Sequence, residues 1–268
     1  MDYVPDVPLK RSRGKSQVLP EPWEPWLFMA GLGVSEIISD VLAPLLGIWL
    51  HALLAGILLW RGTRLTDRMW RYFYWILAIL PLVRIISFAI SAHSLPGVWY
   101  YVMAETPLMV AGFVGQRVTG VPWRQLGVRW PRLALVGTVT VVSAPALGWV
   151  ESRIIHPAAL IPSLTWAHAL LPSILLVIFT GVSEEILFRG LVQYYATRVL
   201  GRWTGVIFVA LSWSLLHIGW QSGVDVVFVF FVGVLWGWVR EKTQSLGPTA
   251  AAHGLANIVL FLIVPFTH

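Results

Sequence analysis

The chain has 268 residues, 57% of them apolar and 12% charged, with a mean hydropathy of +0.74. Such values exclude an ordinary soluble domain and describe one polytopic membrane unit with no soluble domain left over. Cysteine is absent, so disulfides, thiolate metal sites and a cysteine nucleophile are excluded. The net charge of +6 is spread over short segments between apolar runs; it reads as membrane topology, with no nucleic-acid partner implied.

Residues 1–25 carry Lys10, Arg11, Arg13 and Lys15, then Pro20, Pro22 and Pro25, a composition that predicts a disordered cytosolic tail. The apolar run from Trp26 to Trp60 would make roughly 52 Å of helix against a hydrocarbon core of about 30 Å. Glu36, Asp40 and Pro44 interrupt it, so a short or re-entrant first segment is expected before a full span at about 42–60. Further spans are expected near 72–92, 99–115, 133–150, 167–198, 204–219, 224–240 and 248–266. The fold class is therefore an all-α polytopic transmembrane helical bundle of about eight helices (seven to nine), with N-terminal transmembrane helices over 26–165.

Arg61/Arg64/Arg68/Arg71, Arg117/Arg124/Arg129/Arg132, Arg198/Arg202 and Arg240/Lys242 lie between spans, and alternate with connections poor in Lys and Arg at 93–98, 151–165 and 220–223. The bias predicts a multi-pass integral membrane protein with a cytoplasmic N-terminus, in the plasma or inner membrane if the source is bacterial. A cytosolic tail needs an even number of crossings before Arg61, which favours splitting 26–60 in two.

An ionisable side chain inside a span costs at least about 2–3 kcal/mol, so each one calls for a partner or a task. The segment Thr180-Gly-Val-Ser-Glu-Glu-Ile-Leu-Phe-Arg-Gly190 places Glu184, Glu185 and Arg189 in an apolar helix. Glu185 and Arg189, at i and i+4, share a face and are expected to pair. Glu184 is rotated by about 100° from Glu185 and left free to face a cavity and take a proton from water. The next apolar segments offer Trp213 and His217 one turn apart, then His253 and Asn257 one turn apart. A carboxylate base, an imidazole to hold water, and Asn and His donors for an oxyanion are the parts of a hydrolase. Glu184, His217 and His253 could instead hold zinc with water in the fourth position. No His-Glu-x-x-His occurs, so a metal is not favoured.

Glu184-Glu185-x-x-x-Arg189, Trp213-x-x-x-His217 and His253-x-x-x-Asn257, in that order on successive apolar segments, resemble the CAAX protease and bacteriocin-processing (CPBP, or abortive-infection) intramembrane peptidases. The resemblance covers roughly 166–268, taken as the protease core, and departs from the family at Trp213, where Phe is usual. It implies a glutamic-type endopeptidase that cuts near the terminus of a membrane-anchored or lipidated protein. Glu184 and His217 would activate water, His253 and Asn257 would stabilise the oxyanion, and Glu185, Arg189 and Trp213 would support them. The stretch Arg-Gln-Leu-Gly-Val-Arg at 124–129 is similar to the family's cytosolic loop before the core.

Two other classes stay open on the same residues: a noncatalytic immunity or scaffold protein, and a proton-coupled transporter. Rhomboid-type and site-2-type proteases are disfavoured, since neither Gly-x-Ser-Gly nor His-Glu-x-x-His is present. Glu36 and Asp40 share a face, and interhelical ion pairs such as Arg84 with Glu105 are expected. His51, His93, His156, His168 and His268 have no partner spacing and no assigned role. His253 follows Pro248 by only five residues, so its helix must begin deep in the membrane or tilt strongly.

Overall fold

The computed structural model describes residues 19–90, 95 and 97–267. The greater part of the expected N-terminal tail, together with His93 and His268, lies outside the described residues. The long helices are α1 (Glu24–Leu42), α2 (Pro44–Arg64), α3 (Arg68–Phe88), α4 (Val98–Thr119), α5 (Ala134–Ile155), α6 (Trp166–Val199), α7 (Arg202–Trp220), α8 (Gly223–Thr243) and α9 (Gly247–Phe266). All but α4, which carries Glu105, Pro107, Gln116 and Arg117, are both long and apolar enough to cross a membrane. No strand occurs among the described residues. The chain is thus an all-α, multi-pass bundle.

Local chemistry sets the breaks. Pro44 drives Ala43 out of the helical region, to φ −151° and ψ 91°, as a following proline does. The long first run therefore becomes two antiparallel helices, and α1 starts at Glu24, inside the segment read as tail. Asp67 caps α3 by accepting from the backbone N–H groups of Met69 and Trp70 at 2.9 and 3.0 Å. Ser222 caps α8 through the N–H of Asp225 at 3.2 Å.

The helix ends form two faces. On one, here the basic face, Arg61 holds Glu24 through two hydrogen bonds of 2.5 and 3.0 Å, and Arg202 meets Glu241 at 3.3 Å. On the other, the far face, Leu160 N–H donates to the carbonyl of Phe261 at 3.2 Å, and Trp220 stacks on Phe261.

The turn between α8 and α9 is buried beneath the connection between α4 and α5. Arg132 N–H donates to Thr243 O at 2.7 Å, Leu246 N–H to Gly127 O at 2.9 Å, and Ser245 Oγ to Arg129 O at 2.6 Å. Arg240 donates to Gln125 O at 3.0 Å and lies flat against Gly127, whose φ of +107° and lack of Cβ permit that approach. The 124–129 stretch therefore forms a lid over the turn from which α9 starts.

Small residues then let α9 sink between α5 and α6, the usual means of close helix approach in a membrane. A Cβ on Gly181 would lie 2.7 Å from Ala250 O and 2.9 Å from Gly254 N, and one on Gly254 would lie 2.8 Å from Val177 Cα. Gly148 abuts the Ala256 carbonyl in the same way. These neighbours are backbone and cannot rotate away. Gly181→Ala is expected to cost about 1–3 kcal/mol of stability in detergent unfolding. Gly56→Ala, where a Cβ meets nothing within 4 Å, should be neutral or stabilising by about 0.5–1 kcal/mol. Equal stability of the two variants would contradict this packing.

Candidate active site

The middle of α6 is irregular. A single α-helical turn, Ser183–Glu185, is flanked by wide π-type turns at Val177–Val182 and Ile186–Val192, a deviation that often accompanies functional sites. Within it, Glu185 and Arg189 form the expected pair: Arg189 Nη1 donates to Glu185 Oε1 at 2.8 Å, and both side chains are fully buried. The guanidinium also lies over Trp213, 4.1 Å from the ring centroid, and 5.5 Å from that of Trp236. One hydrogen bond and two aromatic faces oppose the desolvation of the ion pair, while Glu185 Oε2 and Arg189 Nε and Nη2 have no hydrogen-bond partner among the described residues.

Glu184 points the other way, into a cavity of about 420 Å³ that His217, His253 and Asn257 also line. Trp213 Nε1 donates to Glu184 Oε2 at 2.7 Å, a bond that phenylalanine in its place could not make. Glu184 Oε1 faces His253 Nε2 at 3.9 Å, a gap too long for a direct hydrogen bond.

Each polar neighbour is oriented by a further contact. His253 Nδ1 lies 3.4 Å from Glu185 Oε1, which turns Nε2 toward Glu184, and the ring packs between Trp213 and Trp236 with centroids 5.5 and 5.0 Å away. His217 Nδ1 lies 3.1 Å from the Trp213 carbonyl. A carbonyl only accepts, so Nδ1 carries the hydrogen and Nε2 of the neutral ring keeps a lone pair. Asn257 Nδ2 donates to Thr180 Oγ1 at 2.8 Å, and Thr180 donates to Leu176 O at 2.5 Å. One Asn257 N–H remains for another acceptor.

All seven residues singled out from sequence therefore converge on one site spanning α6, α7 and α9. Thr180 and Trp236 were missed. Thr180 stands one turn before Glu184 and its spacing was legible; nothing distinguishes Trp236 from the other tryptophans of this chain. Glu105 and Glu151 also line the cavity. Among the described residues, no three His, Asp or Glu side chains are grouped to share a metal ion, the Glu184, His217 and His253 set included.

One expected pairing is corrected. Arg84 bonds Glu36 at 2.7 Å and Asp40 at 3.0 Å, not Glu105. Glu36 and Asp40, one turn apart on α1, both face α3. Glu105 sits on α4 and turns into the cavity, where its Oε2 has no hydrogen-bond partner among the described residues. His51, given no role from sequence, lies 3.4 Å from Glu36.

A family model described as type II CAAX prenyl endopeptidase Rce1-like matches residues 165–259. The match takes in Glu184, Glu185, Arg189, Trp213, His217, His253 and Asn257 in one unbroken segment. The matched segment is similar to this family and covers less than half of the chain. That family description agrees with the CPBP resemblance, and the matched segment runs from the start of α6 into α9. The comparisons with curated proteins and with solved structures give no match.

Proposed function

We propose that the chain hydrolyses a peptide bond near the terminus of a membrane-anchored or lipidated protein, with Glu184 as the general base and no metal ion. The observation that carries this reading is the contrast between two adjacent carboxylates. Glu185 is closed off by Arg189, while Glu184 has one oxygen fixed by Trp213 and the other open to the cavity opposite His253.

In this mechanism a water between Glu184 Oε1 and His217 Nε2 gives its proton to Glu184 and attacks the scissile carbonyl. The oxyanion receives hydrogen bonds from Asn257 Nδ2 and, in the charged form of the ring, from His253 Nε2. Glu185 accepts from His253 Nδ1 in that form. Glu184 then passes its proton to the leaving amine, which closes the cycle without a covalent intermediate.

Asn257→Ala is expected to slow cleavage about 10²–10³-fold, the usual loss for one oxyanion donor. Dialysis of the purified protein against a chelator is expected to leave the wild-type rate unchanged. Loss of activity on chelation, restored by zinc, would instead make Glu184, His217 and His253 metal ligands.

A further inference from the structure

The cavity has an orientation. At its outer end it is lined by Asp40, Ser87, Tyr100, Glu151, Gly219 and Trp220. These lie in the last turns of α1, α3, α5 and α7 and the first turn of α4, all at the far face. Trp220 is 40% exposed there. In the other direction the cavity ends on packed side chains: Phe188, Leu191, Tyr195 and Trp236 are at most 2% exposed. Depth agrees. His217 is three residues from the far end of α7 and fifteen from its basic end, about 4.5 Å against about 22 Å along the helix.

The charges of the connections identify the two faces. The α2–α3, α4–α5, α6–α7 and α8–α9 connections and adjoining helix ends hold Arg61, Arg64, Arg68 and Arg71, then Arg117, Arg124, Arg129 and Arg132, then Arg198 and Arg202, then Arg240 and Lys242. Among the described residues, the far-face ends hold only Arg84, which is paired with Glu36 and Asp40, and Arg153. Short loops rich in Lys and Arg stay in the cytoplasm.

We propose that the catalytic cavity opens to the extracytoplasmic side. Its substrate class is then a membrane-anchored protein whose scissile bond lies outside the membrane or in its outer half. A lipidated tail on the cytoplasmic side would meet the packed layer between Glu184 and Arg198 instead of the opening. The substrate class rests on the peptidase reading; the direction of opening does not, and can be tested without any cleavage assay.

The absence of native cysteine makes single-cysteine labelling direct. Ser87→Cys reports on the cavity, Thr165→Cys on the far-face loop and Thr63→Cys on the basic face. Each is treated with a charged, membrane-impermeant maleimide in intact spheroplasts and again after lysis. Ser87→Cys and Thr165→Cys should label in intact spheroplasts, and Thr63→Cys only after lysis. Labelling of Thr63→Cys but not Thr165→Cys before lysis would reverse the orientation and overturn the proposal. So would a Ser87→Cys that labels only after lysis, or not at all, beside a reactive Thr165→Cys. Tyr100→Cys gives the same reading from α4 should the Ser87 variant fail to fold. Because no cleavage is measured, a negative result here leaves the peptidase reading standing, and an inactive protein leaves this one standing.

Discussion

Arg189→Ala is expected to lower the stability of the folded bundle by about 3–5 kcal/mol, the cost of breaking a buried ion pair from one side. The substitution leaves Glu185, fully buried, with only His253 at 3.4 Å to oppose its charge. It also strips a cation from the faces of Trp213 and Trp236. The double variant Glu185→Gln/Arg189→Met removes both charges while keeping similar volume, so it should recover much of the loss. Chemical unfolding in detergent reads both. A single variant as stable as wild type, or a double variant less stable than the single one, would show that the pair does not hold the core.

Glu184→Gln is expected to slow cleavage about 10²–10⁴-fold, the range attributed to a general base, while leaving the unfolding curve unchanged. The amide keeps the size of the carboxylate and still accepts from Trp213 Nε1, but it cannot take a proton from water. The two positions on one helix thus separate two kinds of failure: position 189 acts on folding and position 184 on rate. If the chain were a proton-coupled transporter, the same substitution would alter proton-coupled flux in vesicles. If it were a noncatalytic scaffold, the substitution would change nothing.

The fold was legible in outline because the bilayer imposes length and apolarity on each helix. Pro44 marked the division of the first run, and the spacing of Glu185 and Arg189 revealed their pair. These are signals within one helix, where side chains at i and i+4 must meet. What sequence did not reveal depends on helices distant in the chain. The partner of Arg84 was misassigned because α1 rather than α4 packs its carboxylates against α3. The burial of the turn before α9 comes from the 124–129 lid, whose grip on Arg240 needs the positive φ of Gly127. Asn257 was legible as a member of the site, but its support, Thr180, is 77 residues away in sequence. That contact exists only because Gly181 and Gly254 let α6 and α9 touch backbone to backbone.

The most direct test of the proposed chemistry is product mass spectrometry on host membranes containing wild type or Glu184→Gln, each with and without chelator. The account predicts a terminal fragment that appears only with wild type and persists under chelation. Its mass would locate the cleaved bond. The same fragment from membranes containing Glu184→Gln, or identical membranes from both proteins at equal expression, would contradict the assignment of Glu184 as the base of an intramembrane endopeptidase.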